Sequence, residues 1–240
     1  IFHYNVIITS WKKTRSFVSM EATAVTTSMN GIAQFIQNGG AFMWVILLIW
    51  AIGIAIAIER FSKLSFKLDV DGASFMNELQ RYILSNDIQG AIRVCSGSVA
   101  ALPRVLKSGL KRSNQSTAQV QNAIDATALE VIPKVELRLN YLQLIANVST
   151  LFGLLGTIQG LIQTFAAVGS ADPAQKQELL ALGISKAMNT TFLGLLAAIS
   201  VMMLHAFLAS KSEKIINEID EFSVKLLDLL GTKQEKENEN

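Results

Sequence analysis

The chain has 240 residues, half of them hydrophobic and only 17% charged, with a mean hydropathy of +0.37. Because about a quarter of the residues in a soluble domain are charged, this composition predicts a membrane protein. The net charge of +2 is too small for the basic surface that nucleic-acid binding requires, and the single cysteine, Cys95, excludes a disulfide framework and a cysteine-rich metal site.

The first forty residues precede the first apolar segment. The chain begins with Ile1, and residues 1–19 contain three basic residues but no apolar run long enough for a signal peptide. We interpret residues 1–19 as a non-native or upstream extension. Residues 20–40 are expected to form a periplasmic N-terminal segment.

Three apolar segments are long enough to cross a bilayer, since about 20 helical residues span a hydrocarbon core of about 30 Å. We predict transmembrane helices over residues 41–59, 139–168 and 186–210. The second segment is longer than one crossing requires and is expected to tilt or to project beyond the membrane. The predicted fold is an all-α membrane protein with three transmembrane helices and long cytoplasmic helical extensions.

Basic residues indicate the orientation of these helices. Residues 20–40 and 169–185, which are predicted to share one side of the membrane, contain a single basic residue, Lys176. The positive-inside rule therefore places 60–138 and 211–240 in the cytoplasm, and the N-terminus with the 169–185 loop and helix start in the periplasm of a bacterial inner membrane. The basic residues at the cytoplasmic ends of the segments are Arg60, Lys63, Lys67, Lys134, Arg138, Lys211 and Lys214.

Local signals predict where helices outside the membrane begin and end. Ser116 starts a capping box, so a helix is expected to begin there and run into the second span, with a kink at Pro133. Asp172 is expected to cap a helix whose first residue is Pro173. Beyond the third span, apolar residues at steps of four and three predict a heptad-like seam that comprises Ile215, Ile219, Phe222, Leu226 and Leu229.

The second span carries polar residues on one predicted helix face. Their spacings of three, four or seven give Asn140, Gln143, Asn147, Thr150, Thr157 and Thr164. Unsatisfied polar groups are costly in hydrocarbon, so this face is expected to contact protein or water. A neighbouring face carries Gly153, Gly156 and Gly160, whose spacing allows close helix approach.

The third span repeats this pattern with Thr190, Thr191 and Gly194. Each threonine taken alone is well explained by a bond to a carbonyl one turn earlier, but the aligned hydroxyls favour a proton pathway. Lys186 lies near the outer end of the span and is predicted to stay charged at the periplasmic mouth, without carrying protons. His205 is expected to be buried and neutral.

Two absences from the sequence restrict the chemistry. The second and third spans contain no Asp or Glu, whereas a proton relay normally uses a carboxylate, so a partner chain is expected to supply the proton carrier. The glycine-rich residues 153–157 lack the Gly-Lys-[Ser/Thr] ending of a phosphate loop. With neither a catalytic constellation nor a metal-ligand set visible, we predict no enzyme, catalytic residue, metal or cofactor.

Three motifs resemble the MotA/TolQ/ExbB proton channel family. GLLGTIQGLI (153–162) resembles the second-span motif of ExbB and TolQ, GISKAMNTTFLGL (183–195) resembles their third-span motif, and IERF (58–61) resembles the end of their first span. The resemblance covers roughly residues 30–215. Three spans are similar to ExbB and TolQ, whereas flagellar MotA has four.

This resemblance implies a homopentamer around a dimer of a single-span ExbD-, TolR- or MotB-like partner, whose membrane Asp carries the proton. By position, Thr157 matches the family's second-span pore threonine and Thr191 its third-span threonine. Lys186 departs from the pattern, because ExbB and TolQ commonly have Glu there.

The resulting hypothesis is an ExbB-like subunit that converts the proton-motive force into mechanical work and energises TonB-dependent outer-membrane transport. Its expected partners are the single-span protein, a TonB- or TolA-like protein and membrane lipids, with no nucleic acid. The alternatives are a TolQ-like envelope-integrity motor or a gliding or other motility stator. From another class, a structural membrane scaffold also remains open.

Overall fold

The computed structural model of the protein describes residues 35–36 and 39–238, with side chains as far as residue 232. The predictions for residues 1–19, and most of those for 20–40, lie outside this part. The described residues form seven α-helices and no strand. The helices are α1 (Ala41–Lys63, continued by a π-helix over Leu64–Leu68), α2 (Gly72–Leu84), α3 (Ile88–Ser96), α4 (Ala101–Leu110), α5 (Thr117–Glu136), α6 (Leu139–Ser170) and α7 (Lys176–Asn238).

Three helical stretches of the described chain are long and apolar enough to cross a membrane, and α1, α6 and α7 supply them. Only 22% to 33% of the residues in their most apolar windows are buried within the chain. Such extensive apolar exposure suits a helix that meets lipid or another subunit. The prediction of an all-α fold with three candidate membrane helices is confirmed, whereas the membrane boundaries remain predictions.

The chain divides into two compact units. Unit 1 comprises residues up to Ile49 together with Val148–Ala197, and unit 2 comprises Trp50–Asn147 together with Ala198–Asn240. The long helices α1, α6 and α7 each contribute residues to both units.

Unit 2 contains a large apolar core formed by α2 to α5 and the C-terminal part of α7. The side chains of Leu79, Leu106 and Leu226 are fully buried there. Burying a leucine side chain contributes about 1.5–3 kcal/mol. The predicted heptad-like seam lies in this core, with Ile215, Ile219, Phe222 and Leu226 buried and Leu229 packed against them.

Two predicted helix starts have different outcomes. Helix α5 begins at Thr117, as the sequence predicts, although the Ser116 side chain makes no capping hydrogen bond. The predicted start at Pro173 is wrong, because residues 173–175 form a turn and α7 begins at Lys176. The carbonyl of Asp172 accepts a hydrogen bond from the Gln175 amide at 2.9 Å, which closes this turn ahead of the helix.

The helix expected to run from residue 116 into the second span is interrupted at Leu137 and Arg138. Pro133 lies inside α5, and the helix is interrupted four residues later, at Leu137. Leu137 is extended, with φ −48° and ψ 131°, and Arg138 has a φ of 64°. A left-handed residue cannot continue an α-helix, so α5 and α6 are separate elements.

A buried arginine fixes the position of this break. The Arg60 side chain is 1% exposed, and its Nη2 donates to the carbonyl of Lys134 at 3.2 Å and to that of Val135. Carbonyls in the last turn of a helix have no partner within it, and a cation is favourable at that end of the helix dipole. The adjacent carboxylate of Glu59 forms an ion pair with Arg138 itself.

Candidate functional site

Helices α6 and α7 approach each other in unit 1 at a pair of glycines. A Cβ added at Gly194 would lie 2.8 Å from the Cα of Gly153 and 2.8 Å from the carbonyl oxygen of Ser149. A Cβ added at Gly153 would lie 3.2 Å from the Cα of Gly194. The three contacted atoms all belong to the backbone. Neither helix can therefore accept a side chain at Gly153 or Gly194 without moving away from the other.

The same contact continues along α6 towards its C-terminus. A Cβ at Gly156 would lie 2.7 Å from the hydroxyl oxygen of Thr190, and one at Gly160 would lie 3.0 Å from the Cβ of Ala187. Small residues at this spacing let membrane helices pack closely. The structure therefore places Gly153, Gly156, Gly160 and Gly194, the glycines that we predicted for helix packing, on one helix–helix contact.

Thr191 makes a hydrogen bond between the two helices. Its hydroxyl donates to the carbonyl oxygen of Gly153 at 3.1 Å. The close approach at the glycines makes this bond geometrically possible, since the Thr191 side chain itself is short. Thr191 is therefore part of the helix contact in the single chain, and its predicted pore role is untested.

Three more threonines of α6 and α7 donate within their own helix. This arrangement is the structural alternative that the sequence left open for each of them, and it satisfies the hydroxyl without a partner from another element. The pairs are Thr157 with the Leu154 carbonyl at 2.6 Å, Thr164 with that of Gly160 at 2.7 Å, and Thr190 with that of Ala187 at 2.7 Å.

The predicted polar face of α6 does not have one environment. Asn140, Gln143, Asn147 and Thr150 are exposed, Thr157 is half-buried and Thr164 is 6% exposed. Seven residues fall about 20° short of two full helical turns, so positions seven apart drift by about 20° per step. This drift carries Thr164 round to α7, where a Cβ added at Gly183 would collide with its hydroxyl. Thr164 thus contacts protein, whereas the residues of this face nearer the start of α6 are exposed in the single chain, and the prediction allowed for either environment.

Lys186 lines a small cavity of about 80 Å³ in unit 1. The cavity lies beside Gly40 at the start of α1, and two amide side chains of α6, Gln159 and Gln163, complete its polar lining. The lysine is half-buried, and its Nζ would lie 3.6 Å from a Cβ at Gly40. No acidic side chain lines this cavity among the described residues, and the predicted periplasmic location of Lys186 is untested.

Metal and thiol chemistry find no support in the described part of the chain. No group of three or more His, Cys, Asp or Glu residues is placed to hold a metal ion there. Cys95 is buried, and burial raises the pKa of its thiol to about 11. Since the thiolate is the nucleophile and the metal ligand, Cys95 is an inert core residue at neutral pH.

Two polar features of unit 2 were not predicted from the sequence. One is Arg60, which was noted only as a basic flanking residue and part of a resembling motif. The other is a polar groove beside His205, a residue that we expected to be buried and that is half-buried instead. The position of Arg60 at the end of an apolar run could have indicated its buried hydrogen bonds. The position of His205 six residues before Lys211 could have indicated a polar groove near the end of the third span.

Comparison with protein families gives the class of protein. The model of the MotA/TolQ/ExbB proton channel family matches residues 98–221, which is just over half of the chain. This chain therefore belongs to that family, as its second- and third-span motifs predicted. The family is a proton channel family and not a known class of enzyme.

Relatives with ExbB and TolQ names are similar to this chain. A putative biopolymer transport protein ExbB homolog of Methanothermobacter thermautotrophicus is 25% identical over 79% of this chain and 67% of that protein. The biopolymer transport protein exbB1 of Vibrio cholerae is 27% identical over 71% of this chain and 76% of its own length. The Tol-Pal system protein TolQ of Haemophilus influenzae is 36% identical over 38% of this chain and 42% of that protein.

A solved structure shares the fold. The structure titled "Structure of C. jejuni MotAB" matches 90% of this chain and 87% of its own chain, with a TM-score of 0.59 and 12% sequence identity. At this identity the match establishes the common helical architecture alone.

Proposed function

We propose that this chain is the channel subunit of a proton-driven motor in the bacterial inner membrane. With a single-span ExbD- or TolR-like partner, it converts the proton-motive force into mechanical work. One observation carries the proposal: α6 exposes Asn140, Gln143, Asn147 and Thr150, yet neither α6 nor residues 179–210 of α7 contain a carboxylate. A polar membrane path without a titratable acid requires the proton carrier from another chain.

The proposed assembly is a ring of five copies around a dimer of the partner, whose membrane Asp carries the proton. Large apolar side chains around α6 support an assembly, because Leu151, Ile162 and Phe165 are each more than 60% exposed in the single chain. In the assembled state, the N-terminus and Lys186 lie at the periplasmic side and the C-terminus lies in the cytoplasm. Native mass spectrometry of the complex should give five copies of this chain, and a stable monomer would contradict the ring.

We favour work on a TonB-type system over the other branches. The ExbB homolog of M. thermautotrophicus and exbB1 of V. cholerae align with more than two thirds of this chain, whereas TolQ aligns with 38%. The 36% identity of the TolQ segment keeps a TolQ-like envelope motor as the second candidate. Co-purification with a TonB-like protein supports the first candidate, and co-purification with a TolA-like protein supports the second.

The proton pathway is tested with threonine-to-valine substitutions, which remove a hydroxyl at nearly constant volume. In cells that co-express the single-span partner, Thr157→Val and Thr191→Val should each reduce energised uptake at least tenfold. Thr127→Val is the matched control, because the Thr127 hydroxyl, like that of Thr157, donates to a carbonyl in the preceding turn of its own helix, but this helix, α5, is cytoplasmic in the proposal.

Thr191 needs one further control, because its hydroxyl also bonds to Gly153 across the helix contact. Thr191→Ser keeps the hydroxyl and should restore uptake if the oxygen is what matters. If both valine variants assemble normally and support full uptake, the pore role of Thr157 and Thr191 is wrong. Lys186→Gln should retain most activity, since this lysine is not a proton carrier in the proposal.

A further inference from the structure

Unit 2 contains a polar groove of about 430 Å³ between the end of α5, the start of α6 and the middle of α7. Its polar lining comes from Glu136, Asn140, His205, Ser212 and Glu213. A volume of this size holds on the order of ten water molecules, at about 30 Å³ each. The groove is therefore large enough for a hydrated ion.

Ser212 points to an aqueous occupant of the groove. Its side chain is 2% exposed, and its hydroxyl has no hydrogen-bond partner in the described protein. A buried hydroxyl that is left unsatisfied costs about 1–3 kcal/mol. Since Ser212 lines the groove, water or a hydrated ion there is the partner that its position allows.

The charge of the groove favours a cation. Glu136 and Glu213 are exposed, and neither forms an ion pair with a described residue. The basic side chains within two residues of these carboxylates are engaged elsewhere: Lys134 with Glu130, Arg138 with Glu59, Lys211 with Asp69 at 3.3 Å and Lys214 with Glu218 at 3.5 Å. Carboxylates in a concave surface without a compensating cation raise the local concentration of positive ions.

His205 is the groove residue whose type changes charge near neutral pH. The groove also meets the polar face of α6, because Asn140 lines the groove and is followed along the helix by the exposed side chains of Gln143 and Asn147. The polar face of α6 therefore ends at a groove that also contains His205 and Glu213 on α7 and Glu136 on α5.

We propose that this groove is the cytoplasmic vestibule of the proton pathway and that His205 exchanges protons with the water in it. A hydronium ion gives its proton to a ring nitrogen of neutral His205, which leaves water and an imidazolium. The imidazolium then returns the proton to a cytoplasmic water, and Glu136 and Glu213 stabilise it in the meantime. This inference rests on the proposed proton pathway and adds its inner end.

Water access is tested with single cysteines in a Cys95→Ala background, because Cys95 is the only cysteine of the chain. In inverted membrane vesicles that contain the assembled complex, a membrane-impermeant thiol reagent should label Asn140→Cys and Ala209→Cys, which both line the groove and are more exposed than Ser212. Leu208→Cys is the control, since Leu208 is 1% exposed in an apolar cluster and should stay unlabelled. Failure to label both groove positions would show that another subunit or lipid covers the groove, and would overturn the proposal.

Proton exchange is tested by NMR on the full chain in bilayers. The chain has two histidines, so in a His3→Gln variant the signal of labelled histidine comes from His205 alone. The ring N–H of His205 should exchange its hydrogen with water, and Glu136→Gln combined with Glu213→Gln should slow this exchange by roughly threefold to tenfold, because in the proposal both carboxylates stabilise the imidazolium through which the exchange proceeds. Glu130→Gln is the control, since that carboxylate pairs with Arg104 and Lys134 and does not line the groove.

Proton flux through the complete complex gives the functional test. His205→Gln should reduce flux about tenfold while the complex stays assembled. Full flux in this variant would overturn the role of His205. If the wild-type complex conducts no protons at all, the proposed function fails. The thiol labelling and the hydrogen exchange of His205 then still decide whether the groove is hydrated and whether His205 exchanges protons with its water.

Discussion

The two units hold their helices together in opposite ways. In unit 1, α6 and α7 touch backbone to backbone, with no room for even one carbon atom at Gly194. In unit 2, the helices pack around large side chains. The side chains of Leu79, Leu102 and Leu106 are each at most 2% exposed. Unit 1 is thus sensitive to added atoms, and unit 2 is sensitive to removed atoms.

The predicted surroundings of the glycine contact in unit 1 and of the leucine core in unit 2 account for this difference. In water, the burial of apolar side chains drives packing, which favours large aliphatic residues such as Leu106. Between helices in lipid this driving force is absent, and close van der Waals contact through small residues replaces it. The contrast supports the assignment of the glycine contact to the membrane and of the leucine core to the cytoplasm.

The largest expected effect is that of Gly194→Ala. Its new Cβ would meet two backbone atoms at 2.8 Å, so the helices must separate, which costs about 3 kcal/mol or more. The folded fraction in a denaturant titration of the bilayer-embedded chain measures this. Gly169→Ala is the matched control, because nothing lies within 4 Å of a Cβ there. Equal stability of the two variants would show that the glycine contact does not hold unit 1 together.

Leu106→Ala should destabilise unit 2 by about 2–5 kcal/mol, because it leaves a cavity at a fully buried site. Hydrogen exchange of the α4 and α5 amides in the full chain measures this change. Leu129→Ala makes the same substitution at a side chain that is 76% exposed, and it should change stability by less than about 0.5 kcal/mol. A loss at Leu129 as large as that at Leu106 would argue against the core described for unit 2.

Arg60→Met should have an intermediate effect on unit 2, of about 1–3 kcal/mol. It removes the donor to the Lys134 and Val135 carbonyls but retains an apolar side chain of similar length. The amides of residues 137–142 should exchange faster than in the parent chain. Lys67→Met removes a basic residue that is exposed and should leave these amides unchanged. Unchanged exchange in Arg60→Met would mean that Arg60 does not fix the break between α5 and α6.

Glu130→Gln should have the smallest effect. A hydrogen bond from Lys134 and the charges of Arg104 and Lys134 lower the pKa of Glu130. A lowered folded-state pKa gives stability that is present above the ordinary glutamate pKa of about 4.3 and is lost as the pH falls through the folded value. The melting temperatures of parent and variant should therefore differ slightly at pH 7 and converge in acid. Because all three side chains are exposed, a large difference, or one that persists in acid, would contradict this account.

Much of the fold followed from local patterns. The three apolar helices, the start of α5 after Ser116 and the buried seam from Ile215 to Leu226 were all predicted, because each depends on the periodicity or hydrophobicity of one segment. The start at Pro173 was wrong, because a single backbone hydrogen bond from Gln175 to Asp172 favoured a turn over a helix. A turn and a helix start can both satisfy the backbone groups at residues 172–175, and a capping pattern in the sequence does not distinguish between them.

The candidate site was predictable in its residues and less so in their environments. Glycine and threonine types at helical spacing indicated a helix contact and a polar path, and the glycines do lie on one contact. The spacing alone placed Thr164 with Thr150 on one face, whereas the accumulated helical drift turns Thr164 towards α7. Periodicity assigns a residue to a face only over a few turns, and the packing partner decides beyond that.

By itself, the sequence determined that the described part of this protein is helical, that three of its segments suit a membrane, and that its second and third predicted spans contain no titratable acid. These are properties of composition and of single segments. Only the tertiary structure decided that Thr191 bonds to Gly153, that Arg60 caps α5 and that His205 lines the same groove as two carboxylates. The first two hydrogen bonds join residues 38 and 75 positions apart, and no local pattern specifies which distant backbone atom a side chain will reach.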